Sequence, residues 1–455
     1  MSTKAAVKRH DVDMTEGSIV RHLIYFAAPL LLGNIFQQFY NMVDTWVVGN
    51  YVSNEAFSAV GTAAPIINML IGFFTGLANG AGVVISQYYG ARRYDKVQDT
   101  VHTTLVMTIV LGIVFTALGI LITPMMLSLM KVPKEVFPEA TEYLSIYFAG
   151  IFGLMVYNVG AAILRAVGDS RRPFTFLVVS ALVNVVLDLV FVLVFKMGVD
   201  GVAYATIIAQ AISAILVVIT LLKSDSCVRF YPHNLKIHWD MLKKIIGVGL
   251  PAALQMAVTS FSNVFVQSYV NYFGADCMSG WTAFHKVDQL MFLPMQSIAL
   301  SATTFVGQNL GKGKENRAKK GVRYSIAISA AATIILLIPV MLFSAPITAF
   351  FNAKAEVVEY GTLFLRIIAP FHIFGCINQV LSGALRGAGK SRVPMVIMLV
   401  SFVFFRQAYL FVTANYISNT FIPIALGYPA GWILCSIITL IYYKVSPLSS
   451  AKLVD

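Results

Sequence analysis

Twelve stretches of roughly 20 or more mostly apolar residues recur along this chain, each able at about 1.5 Å per helical residue to cross a hydrocarbon layer about 30 Å thick. Their approximate spans are 19–48, 58–84, 101–126, 141–164, 174–195, 200–222, 243–272, 281–308, 322–349, 359–384, 394–417 and 420–443. No soluble domain remains once they are removed. Composition agrees: 58% of the 455 residues are hydrophobic and 12% are charged, whereas soluble domains carry about 25% charged residues.

The formal net charge of +12 raises the question of nucleic acid, and its placement answers it. Lys and Arg crowd one alternate set of connections: Lys4, Lys8, Arg9 and Arg21; Arg92, Arg93 and Lys96; Arg165, Arg171 and Arg172; the segment after Lys223; Lys312 to Arg323; Arg386 to Arg392; Lys444 and Lys452. The other set holds only Lys131, Lys134, Lys196 and Lys354. This is the positive-inside bias of a membrane protein, so both termini are expected in the cytoplasm, in a multi-pass protein of the plasma membrane, with no nucleic-acid partner. Cys227, Cys277, Cys376 and Cys435 have no pairable or metal-ligand spacing and read as packing residues. The first 18 residues are polar, with Asp11, Asp13 and Glu16, unlike a cleaved signal peptide. The first span is expected to act as an uncleaved insertion signal.

A second constraint is internal. Leu164-Arg165-Ala-Val-Gly168-Asp-Ser170-Arg171-Arg-Pro173 recurs 221 residues later as Leu385-Arg386-Gly-Ala-Gly389-Lys-Ser391-Arg392-Val-Pro394, and Gln87-Tyr-Tyr-Gly90 recurs at the same period as Gln308-Asn-Leu-Gly311. Pro29 and Pro251 fall inside the first span of each copy, 222 residues apart. The chain is therefore two tandem six-span units, 1–222 and 243–455, joined by a polar linker over 223–242. Because six is even, both copies insert with the same orientation. The expected fold is an all-α membrane protein of twelve transmembrane helices in two lobes, related by a pseudo-twofold axis along the membrane normal. Such a pair facing across a midplane cavity is the architecture of alternating-access transport.

Such transport needs an energy source. Ala384-Leu-Arg-Gly-Ala-Gly389-Lys390-Ser391 is the nearest approach to a phosphate-cradling loop, but it lacks the first glycine, follows a membrane helix instead of a strand, and has Asp169 in place of Lys390 in the other repeat. A basic turn between spans is the better reading, and the energy is expected from an ion gradient. Ionisable groups inside the membrane are expensive and therefore candidates. They are Asp44, Asp188, Lys286 with Asp288, Arg366 and Arg406. Gln37, Tyr40 and Asp44 share one face of the first span, and Asn184 and Asp188 share one face of the fifth. Counting turns places Asp44 and Asp188 at comparable depth. Asp44 also fits a side chain reaching the outer interface, and Asp188 an interhelical hydrogen bond. Lys286 and Asp288 fit a structural ion pair as well as a transport role, while Arg366 and Arg406 fit helix-end partners. Pro29 removes the N–H that would bond the Tyr25 carbonyl and allows a kink. Met42, Phe36, Met291 and Met295 fit either an adaptable cavity or ordinary packing. With no His/Asp/Ser or metal-ligand cluster at membrane depth, an enzyme is not expected.

The paired turns, Pro29 with Gln37, Tyr40 and Asp44, the Asn184-x-x-x-Asp188 pair and Thr206 on the next span resemble bacterial multidrug and toxic compound extrusion (MATE) transporters over nearly the whole chain. The resemblance implies a V-shaped antiporter, monomeric in the lipid and without a bound cofactor, that exports small organic, often cationic, compounds against protons or sodium. It implies ion coupling at Asp44, Asp188 and Asn184 and substrate binding at Gln37, Tyr40 and Thr206, with Asn158 as a weaker carry-over. Met291 is added as a cavity-lining candidate, and Lys286 and Asp288 as secondary coupling candidates. The acidic residues that sodium-coupled members carry in the seventh and tenth spans are replaced here by Gln255 and Gly375, which favours protons. A lipid-linked oligosaccharide flippase of the same superfamily is the alternative, together with sodium-driven export.

Overall fold

A computed structural model of the chain describes residues 11–417 and 420–454. Lys4, Lys8 and Arg9 lie outside them. Among the described residues the secondary structure is helical, without strands, and twelve helices are long and apolar enough to cross a membrane. They are α1 Ile19–Tyr51, α2 Glu55–Gly90, α3 Tyr94–Leu129, α4 Phe137–Ala166, α5 Arg171–Val194, α6 Val199–Leu222, α7 Trp239–Asn271, α8 Ala275–Gly311, α9 Glu315–Leu342, α10 Ala355–Gly387, α11 Arg392–Ile417 and α12 Phe421–Val445. Several extend a turn or more past the apolar run that announces them, because helix geometry persists into charged flanks such as Tyr94–Thr100 and Glu315–Gly321. The ninth span departs from expectation. Its helix stops at Leu342, and a short helix, Ser344–Phe351, completes the stretch. Pro346 has no N–H to offer the Leu342 carbonyl, so the ladder is interrupted there.

The repeated motifs fold as repeated turns. Gly168 and Gly389 both take positive φ, +90° and +87°. Gly168 N–H donates to the Arg165 carbonyl at 2.9 Å and Asp169 N–H to Leu164 at 3.1 Å; Gly389 donates to Arg386 at 2.8 Å and Lys390 to Leu385 at 2.8 Å. The left-handed glycine closes the helix by capping its last carbonyls, which is why glycine stands at both positions. The turns diverge in their side chains. Asp169 accepts from the backbone N–H groups of Arg171 and Arg172 at 3.1 Å. Lys390 is buried and donates to Ser446 Oγ and the Pro447 carbonyl, each at 2.6 Å.

The described residues pack as two compact units, one of residues 11–13 and 29–249 and the other of residues 14–28, 250–417 and 420–454. The division falls inside α1, between Ala28 and Pro29, and inside α7, beside Pro251. The 223–242 segment belongs to the first unit. There Tyr231 N–H donates to His102 Nε2 at 3.3 Å, and His238 N–H donates to Thr103 Oγ1 at 3.0 Å. The start of α7 is held in the same unit by Lys244 Nζ on the Tyr88 hydroxyl at 2.6 Å. In the second unit, the Ser301 hydroxyl donates to the Leu23 carbonyl of α1 at 3.1 Å, and Ala27 packs among Ile298, Ala302 and Val380.

Each unit is built around one heavily buried helix, α4 in the first and α8 in the second. Close approach is made possible by small residues, since between apolar helices in lipid there is no hydrophobic drive and packing must hold them together. A Cβ on Gly150 or Gly160 of α4 would stand 2.2 Å from Ile207 or 2.7 Å from Val217 of α6. A Cβ on Gly383 or Gly387 of α10 would stand 2.4 Å from the carbonyl oxygen of Ala299 or Thr303 of α8.

Candidate functional site

The first unit gathers its polar residues between α1, α4, α5 and α6. Helix α5 carries Asn184 and Asp188 one turn apart, and both are buried, Asp188 completely. Helix α1 brings Gln37, Tyr40 and Asp44, successive on one face, to meet them. The Gln37 side chain lies beside the Tyr40 hydroxyl, and Tyr40 interacts electrostatically with Asp44, Asp188 and Tyr147. The Asp44 and Asp188 carboxyls lie within hydrogen-bonding reach of each other.

Neither oxygen of Asp188, nor Asp44 Oδ1, receives a hydrogen bond from an N–H or O–H group among the described residues, and neither atom of the Asn184 amide has a partner among them. As carboxylates, Asp44 and Asp188 are both acceptors only, so two ionised groups cannot satisfy one another; with one proton between them, one becomes a donor and the other its acceptor. Buried polar groups are nearly all paired in folded proteins, so an unpaired set of this density points to something exchangeable that belongs there. An amide oxygen and two carboxyl groups at one place can hold a proton or a small cation.

Three further residues complete the cluster, and the sequence reading did not name them. Tyr143 and Tyr147 of α4 interact electrostatically with the carboxyl pair or with Tyr40. Gln210 of α6 donates to the Tyr147 hydroxyl at 3.4 Å. Gln210 follows Thr206 by one turn, and that polar i, i+4 face was the available signal; the tyrosines of α4 blend into a strongly aromatic stretch. Thr206 is buried with its hydroxyl on its own helix, at the Val202 carbonyl, 3.0 Å away. Asn158 lies on α4 and is engaged elsewhere, accepting from the Thr75 hydroxyl at 3.5 Å and donating to the Leu154 carbonyl at 2.9 Å. Pro29 stands at the division of α1.

Two expectations are corrected in the second unit. Lys286 and Asp288 do not pair: positions two apart on a helix point to different faces, and Lys286 is exposed while Asp288 is buried with its Oδ1 2.8 Å from His372 Nε2. Met291 is no cavity-lining side chain. It is 2% exposed in the apolar core with Trp281, Phe284 and Trp432. Arg366 is exposed and donates to Ser344 Oγ at 3.0 Å, and Arg406 is buried with Nη2 on Ser262 Oγ at 2.6 Å and Asn263 Oδ1 at 2.9 Å. Gln255 donates to the Met398 sulfur and accepts from Arg386.

Comparison with known proteins places this geometry in context. A family model described as MatE matches residues 29–190 and 251–409, one match in each repeat. The chain is 28% identical to a probable multidrug resistance protein of Bacillus subtilis, YpnP, over 97% of this chain and 98% of the relative. It is 27% identical to the probable multidrug resistance protein NorM of Thermotoga maritima, over 93% and 92%. Among solved structures, a MOP superfamily transporter from Pyrococcus furiosus superposes with a TM-score of 0.92 at 22% identity, covering 98% of this chain and 100% of that one.

Proposed function

The chain belongs to the MatE family, and two of its relatives are described as probable multidrug resistance proteins; we propose that it is a secondary active antiporter of the plasma membrane, a monomer that exports small organic, often cationic, compounds in exchange for protons by alternating access. The observation that carries this reading is the pairing of half-buried Asp44 with fully buried Asp188, Asn184 beside them, with Asp44 Oδ1, both Asp188 oxygens and the Asn184 amide lacking partners among the described residues. A proton on the pair and an organic cation near it are alternative ways to compensate the same two carboxylates. Ligands that compete for one site exchange for one another, and competition is a sufficient mechanism for antiport. In this reading Gln37 and Tyr40 orient Asp44, Tyr147 and Gln210 wall the site from α4 and α6, and Pro29 is the point at which α1 bends.

The choice of protons over sodium draws on the replacement of the C-terminal acidic positions by Gln255 and Gly375. It is tested by export of ethidium from cells expressing the chain. Collapsing the pH gradient is expected to stop export, and replacing sodium with choline to leave it largely intact. The reverse pattern would reassign the carboxyl pair to sodium.

A further inference from the structure

Around Arg406 the buried side chains left without partners are donors. Arg406 stands past the middle of α11, immediately after the π-helical stretch Leu399–Phe405, and is 1% exposed. A guanidinium has five N–H groups to give and accepts nothing. Among the described residues its hydrogen bonds come from Nη2 alone, to Ser262 Oγ at 2.6 Å and Asn263 Oδ1 at 2.9 Å on α7. Nε is buried with no partner among those residues. Tyr428 of α12 lies beside it, its ring centre 4.7 Å from the guanidinium carbon, and Trp281 of α8 packs on that ring with centroids 5.3 Å apart. Both side chains are buried, and the Tyr428 hydroxyl and the Trp281 indole N–H also lack partners among the described residues.

The charge is uncompensated as well. Ser262 and Asn263 are neutral, and no carboxylate among the described residues pairs with Arg406. Asp288 interacts electrostatically with Tyr428, but its Oδ1 is taken by His372 at 2.8 Å. The faces of Phe402 and Tyr428, 5.5 and 4.7 Å from the guanidinium carbon, attract a cation through their quadrupoles yet bring no net negative charge. A guanidinium at membrane depth with neither a counter-charge nor a full set of acceptors is expensive, and buried charges are retained where something pairs with them. Whatever completes this place accepts from a guanidinium N–H, a phenol O–H and an indole N–H, and carries negative charge.

We propose that Arg406, Tyr428 and Trp281 form a binding site for a small monovalent inorganic anion of the halide type, enclosed within the second unit. A halide is a sphere with no donors and no preferred direction, so it accepts from groups that belong to three different helices. Water fits less well: its two lone pairs serve two of the donors, while its own protons need acceptors that the guanidinium and the indole cannot supply. The bound anion ties α8, α11 and α12 together through one charge, next to the widened turn of α11. The site belongs to the other unit from the Asp44–Asp188 pair, and its existence does not rest on the antiport reading.

The test uses full-length protein in detergent and needs no transported substrate. Thermal unfolding is followed at fixed pH and fixed sodium while chloride, and separately bromide, replaces gluconate, an anion too large for an enclosed site. A ligand that binds only the folded state raises the midpoint once its concentration passes its Kd, and both halides are expected to do so. Tyr428→Phe keeps the ring and removes one hydrogen bond to a charged ligand, which is expected to weaken the apparent affinity about tenfold or more. Arg406→Gln is expected to abolish the halide dependence; should that variant not fold, Trp281→Phe takes its place, with a weakening similar to that of Tyr428→Phe. Anomalous scattering from crystals grown in bromide is expected to place an ion within hydrogen-bond reach of Arg406 Nε and the Tyr428 hydroxyl. Equal midpoints in chloride and gluconate, a halide effect that Tyr428→Phe leaves unchanged, or water without bromide beside Arg406 overturns the proposal. Failure of proton coupling in the export assay bears on the Asp44–Asp188 reading and leaves these measurements unchanged.

Discussion

At the scale of the residue, the informative feature is what burial leaves unsatisfied. Asp188 lies in Val-Val-Leu-Asp-Leu-Val-Phe, a context in which an acid has no route to water and must find its partner inside the protein. Its partner is Asp44, another acid. Asp288 illustrates the opposite outcome, having found a base from a different helix. Replacing Asp188 with Asn keeps shape and removes the charge and the exchangeable proton. Normal membrane insertion is expected, with ethidium export falling to the level of cells lacking the protein, and Asp44→Asn the same or slightly milder. Robust, pH-gradient-dependent export by Asp188→Asn at wild-type expression would place the coupling site elsewhere.

At the scale of the element, helices here are set by propensity and by lipid, and their contacts by small residues. Arg92 and Gly313 occupy equivalent turn positions and both take positive φ, 57° and 76°. The repeat thus preserves the backbone even where one copy has a side chain that disfavours it. Irregular helix gathers near the polar groups: α5 becomes a π-helix over Val190–Val194, just past Asp188, and α11 is a π-helix over Leu399–Phe405, just before Arg406. Such widening re-aims the side chains that follow and is frequent at functional sites. The glycine contacts give a direct test. Gly383→Ala would drive a Cβ into the backbone of α8 and is expected to destabilise the protein by about 1–3 kcal/mol, the usual cost of overpacking. Gly61→Ala, at a position with nothing within 4 Å, is expected to be neutral or slightly stabilising. Thermal unfolding in detergent compares the two; equal midpoints would show that α8 and α10 yield easily.

At the scale of the whole molecule, the duplication gives two units that build different polar sites: a carboxyl pair with an amide in the first, and a His–Asp pair with a separate buried arginine in the second. The orientation implied by the Lys and Arg bias is testable by single-cysteine labelling with an impermeant reagent, in protein lacking its four native cysteines. Positions near Lys236 and Lys314 are expected to be shielded in intact cells, and positions near Glu55 and Lys354 to be labelled. Labelling at 314 from outside would refute the two-repeat topology. The sequence by itself determined the twelve spans, because crossing a bilayer sets a length and hydropathy that any reader can count. It determined the twofold repetition too, because a left-handed glycine turn admits few residues and so leaves the same motif at the same spacing. It also announced Gln37, Tyr40, Asp44, Asn184 and Asp188, each polar where the surroundings are apolar and each on a shared helical face. Tertiary structure alone decided which faces meet. It brought Tyr143 to the carboxyl pair and Tyr147 with Gln210 to Tyr40, gave Asp288 to His372 in place of Lys286, buried Met291, and divided α1 and α7 between units at their prolines. The reason is physical: in a membrane helix the core-facing and lipid-facing sides are equally apolar, so hydropathy fixes where a helix lies and leaves its rotation to the packing of small residues against its neighbours.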